Sequence, residues 1–298
     1  MKVDKFNLGL IQHKCGNDIR ENYDKALHMI ESACKNGANV VCTQELFKTV
    51  YFCQVENWDY FQFAEKVDES SETVKTLSKI AKDYSSVIVA SLFEKRDKGI
   101  YHNTVVVIDA DGSFSGKYRK MHIPDDPHFY EKFYFTPGDL GYKVFKTRYA
   151  NIGTLICWDQ WFPEAARLTT MKGADVILYP TAIGWLPEEK EEQGKSQYNA
   201  WETVQRGHAV ANGVYVASVN RVGFEKSPDG NSGIEFWGQS FVSNPYGEVI
   251  SKSSQDKEEV LLTEINLSLL DEMRIVWPFF RDRRIDSYTD LTKRWLVD

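Results

Sequence analysis

Of the cysteines at 15, 34, 42, 53 and 157, only Cys157 stands where a thiol could react. The run Ala150-Asn-Ile-Gly-Thr-Leu-Ile-Cys157 predicts a buried strand, and Pro163 predicts a helix starting a few residues later. Side chains at the carboxyl ends of strands in α/β proteins line the crevice where ligands bind. A sulfur near a helix N-terminus has its thiolate stabilised by the helix dipole and by free backbone N–H groups. Those groups could also hold an oxyanion. The plainer fate of a free cysteine is burial as a small apolar side chain. That fate suits Cys34, late in a helix, and Cys42, inside a strand.

Three ionisable groups could serve such a thiol. Glu45 leaves the apolar strand Asn39-Val-Val-Cys-Thr-Gln44. A carboxylate there is costly unless paired or functional, and desolvation makes a carboxylate a better base for a thiol proton. A salt-bridged surface Glu is the alternative. Lys120, in Gly116-Lys-Tyr-Arg-Lys-Met-His-Ile-Pro124, could pair with Glu45 or hold an oxyanion, or it could join Lys117 and Arg119 in a solvated basic turn. Glu131 sits among aromatics in His128-Phe-Tyr-Glu-Lys-Phe-Tyr134, where a carboxylate needs a partner. The run Glu188-Glu-Lys-Glu-Glu192 is a solvated face or helix start, with an acidic rim attracting an amine as its functional alternative. Other chemistry finds no support. The sequence has no GxGxxG after a strand, no Walker loop and no GxSxG elbow. The histidines at 13, 28, 102, 122, 128 and 208 lack metal-ligand spacing, so no metal site is expected; His208, beside Trp201 and Val204, suits a hydrogen-bonded core position.

The elements that must position these groups alternate between helix and strand. Asn17–Asp18 predicts a cap for a helix with Ile19, Ala26, Leu27, Ile30 and Ala33 on one face, ended by Gly37. Val74, Leu77, Ile80, Ala81 and Tyr84 predict a second helix leading into strand 86–93, and 103–119 predicts a hairpin around Asp111-Gly112. Further on, the pattern predicts strand 175–180, a helix over about 195–212, strand 214–220, and short strands near 237–251 and 259–265. Asn36-Gly-Ala-Asn-Val-Val41 echoes Lys172-Gly-Ala-Asp-Val-Ile177. A repeated αβ unit would produce this, giving two sheets face to face with helices outside. A helix–Gly–strand junction common to any α/β protein would produce it too.

A chain of 298 residues would ordinarily divide into about two domains. No Pro/Gly/Ser-rich linker interrupts it, so one domain over 1–298 is expected, with the tail from 279 docking on the core or on a neighbouring subunit. A net charge of −7 repels phosphate backbones, so no nucleic-acid partner is expected. No apolar run approaches the roughly 18 residues of a membrane span. The N-terminal segment lacks the pattern of a secretory leader, and an odd number of cysteines suits a cytoplasmic location.

The stretches VVCTQELFKTVYF around Glu45, GKYRKMHIPDD around Lys120, FYEKFYFTPGD around Glu131 and IGTLICWDQWFPEAARL around Cys157, followed by GADVILYPTAIGW, resemble the nitrilase/carbon–nitrogen hydrolase superfamily. The resemblance runs over about residues 5–265. It implies a four-layer αββα sandwich of two packed mixed sheets with helices outside. It implies an amidase in which Glu45, Lys120 and Cys157 are catalytic and Glu131 supports them, with no cofactor, working as a homo-oligomer. The wording of these stretches is similar to a branch of the superfamily acting on small carbamoyl amines. Tyr51, Tyr130, Trp158 and Trp185 then become walls for an aliphatic chain and its cationic end. In that branch an acidic residue closely follows TAIG; here the run is Trp185-Leu-Pro187-Glu188, so Glu188 or Glu189 would hold the far ammonium. Another amide or N-carbamoyl amino acid, and a binding protein with a silent site, are the alternatives.

Overall fold

The structure, a computed structural model, describes residues 4–230 and 232–297. Met1–Val3, at the head of the segment expected to carry no leader, lie outside the described residues. The Asp18 carboxylate accepts from the N–H groups of Arg20 and Glu21 and caps the helix Ile19–Lys35, which buries Ala26, Ile30 and Ala33. Ser71 caps the helix Glu72–Tyr84 through the N–H of Val74, and Val74, Leu77, Ile80 and Ala81 face inward. Prolines open the helices Pro163–Met171 and Pro187–Asn212, where a missing N–H costs nothing.

The first sheet runs, in spatial order, Glu259–Asn266, Lys5–Gln12, Val40–Thr43, Val87–Asp97, Ile100–Ile108, Phe114–Arg119. The second runs Val249–Lys252, Phe241–Ser243, Tyr215–Val219, Val176–Pro180, Asn151–Thr154, Lys143–Lys146. In each, three adjacent strands are parallel and the succeeding strands antiparallel. One connection pattern therefore occurs twice: strand, helix, strand, helix, strand, then an antiparallel pair. Gly37 and Gly173 take the same left-handed backbone past their helices, at φ 93° and 95°.

Alternation along the strands divides the apolar residues between two cores. Cys42, Val89 and Val107 share one buried cluster with Ile152, Leu178 and Val216 of the second sheet. Their neighbours Val41, Ile88 and Val106 pack outward, in a cluster with Ala26, Ile30, Leu77 and Ile80 of the first two helices. The helices Pro163–Met171 and Pro187–Asn212 contact the second sheet. The result is the four-layer sandwich of two mixed sheets between helices.

Several boundaries differ from expectation. The strand expected to reach Cys157 ends at Thr154, because the chain turns into a 3-10 segment, Cys157–Trp161. The helix expected from about 195 begins at Pro187; Glu188 and Glu189 in its first turn complement its dipole, so the acidic run is a helix start. Gly194 and Gly207 within it hide the helical pattern. Strands Lys5–Gln12 and Lys143–Lys146, the helix Ser268–Val276, and a small sheet of Val222–Lys226, Gly233–Trp237 and Gly184–Trp185 carry no clear sequence signal. Residues 279–297 are largely exposed, with the Arg167 guanidinium over the Phe280 ring.

Candidate active site

Four chain segments deliver one group each. Glu45 follows Val40–Thr43, Lys120 follows directly on Phe114–Arg119, Glu131 opens the short helix Glu131–Tyr134, and Cys157 opens its 3-10 segment. All four are buried. The Lys120 ammonium donates to Glu45 Oε1 at 2.9 Å and to Glu131 Oε2 at 2.6 Å. Asn103 Nδ2 also donates to Glu45 Oε1, at 2.7 Å, and the Tyr51 hydroxyl donates to Glu131 Oε1, at 2.6 Å. Among the described residues Glu45 Oε2 has no hydrogen-bond partner, so one oxygen of a fully buried carboxylate is left for a proton. Cys157 has φ 41°, a left-handed backbone that costs a residue with a Cβ about 1–2 kcal/mol. Its thiol points toward the carbonyl of Ala182, 3.8 Å away.

The charges act on one another strongly in this dry setting. Burial and the nearby Glu45 carboxylate push the Cys157 thiol well above its usual range, with Lys120 opposing them. Burial works against the Lys120 charge, yet Glu131 and Glu45 hold its proton well above the ordinary lysine range. Burial pushes Glu131 up to about 7, against Lys120 and with the charge of Glu45. In the resting state the thiol therefore keeps its proton, and a base must take it as a substrate arrives.

Cys157 and Glu131 open onto a cavity of about 460 Å³. Its other walls include Phe129, Trp158, Trp161, Trp237, Leu186, Asp126, Glu189 and Gln197. Among the described residues neither Lys nor Arg lines it. Of the residues expected as walls, Trp158 is one. Tyr51 lies behind Glu131 and holds it; Tyr130 opens the turn into Glu131 outside the lining; Trp185 is buried with its indole N–H on the carbonyl of Gly194. Glu188 points away, accepting from the Ser232 hydroxyl, while Glu189 lines the cavity and accepts from Gln197. Among the described residues no group of three or more His, Cys, Asp and Glu could hold a metal ion.

Two charged residues that the sequence reading passed over organise the site. Arg221 is fully buried and donates to the carbonyls of Glu45, Leu46 and Thr49 and to Glu225, which in turn accepts from Tyr51 N–H. One guanidinium thus fixes both ends of the segment from Glu45 to Tyr51. Asp159 lies buried behind Cys157. Arg221 follows an apolar strand by two residues, as Glu45 does, and that signal could have found it.

A four-layer sandwich with an acid, an ammonium and a thiol buried together is the architecture of a nitrilase-superfamily hydrolase. Residues 7–275 match the carbon-nitrogen hydrolase family, and the chain belongs to that family. It is 44% identical over 286 residues to an N-carbamoylputrescine amidase of Oryza sativa subsp. japonica, covering 95% of this chain and 93% of the relative. It is 39% identical to a citrullinase of Francisella tularensis, covering 97% of this chain and 99% of that one. A solved carbon-nitrogen hydrolase from Helicobacter pylori G27 is 48% identical and superposes with a TM-score of 0.94, covering 98% of this chain and 100% of that chain.

Proposed function

We propose that this chain hydrolyses the carbamoyl C–N bond of N-carbamoylputrescine, giving putrescine, ammonia and carbon dioxide, as a step of polyamine synthesis. Glu45 takes the proton of Cys157 as the sulfur attacks the carbamoyl carbon. Two of the three Lys120 N–H groups face carboxylates, and the third, with the N–H of Trp158, holds the developing oxyanion. Ammonia leaves with the proton from Glu45, and the sulfur keeps the carbamoyl group. Glu45 then takes a proton from water, which displaces the sulfur, and returns that proton to the Cys157 thiolate. The released carbamic acid breaks down to carbon dioxide and putrescine. Glu131 holds Lys120 in place.

One observation carries the substrate: the cavity beside Cys157 has aromatic walls and the carboxylates Asp126 and Glu189, and among the described residues no Lys or Arg lines it, Lys120 being committed to Glu45, Glu131 and the oxyanion. Such a site accepts an aliphatic ammonium and rejects a carboxylate. Purified protein is expected to release ammonia from N-carbamoylputrescine with a higher kcat/KM than from L-citrulline, N-carbamoyl-β-alanine or propionamide. The reverse order overturns the substrate. Cys157→Ala is expected to release no ammonia and keep the wild-type circular dichroism; an active Cys157→Ala protein overturns the mechanism.

The chain is read as one domain that works as a homo-oligomer. Leu168 and Met171, on the helix Pro163–Met171, are exposed and apolar, as are Ile275 and Val276, and a second copy would cover them. The helix Pro187–Asn212 is the other candidate contact. Among the described residues no helix is long and apolar enough to cross a membrane. The free thiols at all five cysteines suit the reducing cytoplasm, where we read this chain as working.

A further inference from the structure

We infer that Asp159 is a positioning residue that sets how Lys120 approaches Cys157, an inference that rests on the function proposed above. Asp159 is fully buried and absent from the cavity lining, so it does not meet a substrate. Its two oxygens collect four contacts. Oδ2 accepts from the N–H of Ile156 at 2.9 Å and from the Tyr118 hydroxyl at 2.7 Å. Oδ1 accepts from the N–H of His122 at 3.0 Å and meets His122 Nδ1 at 2.7 Å.

The partners fall into two sets. Tyr118 and His122 stand two residues either side of Lys120; Ile156 and Asp159 itself bracket Cys157. One set hangs from the first sheet and the other from the second, so a single carboxylate joins the chain bearing the ammonium to the chain bearing the sulfur. On the sulfur side, Asp159 N–H also donates to the carbonyl of Ile156, at 3.0 Å. The two bonds close the turn in which Cys157 holds its left-handed backbone. On the outer side the His122 ring lies flat against Phe162, with centroids 3.8 Å apart, so His122 has little room to follow a displaced partner.

A carboxylate suits this junction because it presents acceptors alone. Asp159→Asn keeps the shape and turns one oxygen into a donor that faces other donors, which opens the junction on one side. The expected result, counted per site able to be alkylated by iodoacetamide, is a fall in kcat of roughly ten-fold or more with KM within about two-fold of wild type. The cavity walls are untouched, so binding persists while the reacting groups fall out of line. The rate of Cys157 alkylation is expected to rise with pH later in the variant, because Lys120 no longer steadies the thiolate as well. Tyr118→Phe removes a single donor, keeps the ring, and decides the matter if Asp159→Asn does not fold; a several-fold fall in kcat at unchanged KM is expected.

The positioning role is overturned if kcat per alkylated site and the alkylation profile stay at wild-type values while only the melting temperature drops. Cys157→Ala is assayed in parallel. Ammonia release by Cys157→Ala removes the cysteine mechanism on which this inference rests; an inactive Cys157→Ala beside fully active Asp159→Asn and Tyr118→Phe removes the positioning role alone.

Discussion

Lys120 serves two carboxylates with a single ammonium, and that imbalance shapes the response to pH. Glu131 is raised by burial from 4.5 to about 7. A carboxyl raised on folding stabilises the folded chain fully below its unfolded value, and that contribution is lost as pH rises through the folded value. Between about 4.5 and 7 the melting temperature should therefore fall with pH through Glu131, and Glu131→Gln should flatten this fall in calorimetry across that window. Glu189→Gln, in the cavity wall, should raise KM for N-carbamoylputrescine about ten-fold or more, the scale of one charged hydrogen bond, and leave KM for propionamide unchanged. Glu188→Gln should change neither, because Glu188 faces Ser232; a KM effect at 188 and none at 189 would move the ammonium to Glu188, the other acid the sequence offered. Glu45 and Lys120 were legible because a charge beside a strand is conspicuous, and Glu131 because a carboxylate among aromatics needs a partner. The walls were not, since whether Tyr51 faces the cavity or the back of Glu131 depends on contacts 80 residues apart along the chain.

Helix ends and glycines were the most legible elements. Asp18, Gly37 and Pro163 act locally, so the sequence announces them without help from the rest of the fold. Ser85 shows the same logic in reverse. It ends the helix Glu72–Tyr84 with a left-handed backbone at φ 52° and an exposed side chain. Ser85→Gly should therefore raise stability by about 0.5–1 kcal/mol in chemical denaturation, with activity unchanged. The small sheet was illegible for the opposite reason. Val222–Lys226 and Gly233–Trp237 are short and mixed in polarity, and they become strands by pairing with each other, the second also with Gly184–Trp185. Cys157 shows where a local pattern misleads. The apolar run through Ile156 continues the look of a strand, while the bonds around Asp159 bend it into a turn.

At the scale of the whole molecule, the repeated connection pattern explains why one short echo foretold two sheets. Each copy places a central parallel strand under helices, and the reacting groups come from both copies. The proposed oligomer belongs to this scale. Light scattering should give more than one chain per particle, and Met171→Asp combined with Ile275→Asp should give one; a single chain in the wild type would remove the proposed interface. The order of strands in the first sheet has a consequence of its own. Lys5–Gln12 lies between Val40–Thr43 and Glu259–Asn266 and pairs with the latter along all eight residues. During synthesis this early strand emerges from the ribosome long before that neighbour exists. Throughout the interval its unsatisfied N–H and C=O groups are open to any other nascent chain. Chaperone supply and translation speed should then bear on how much of this protein a cell obtains.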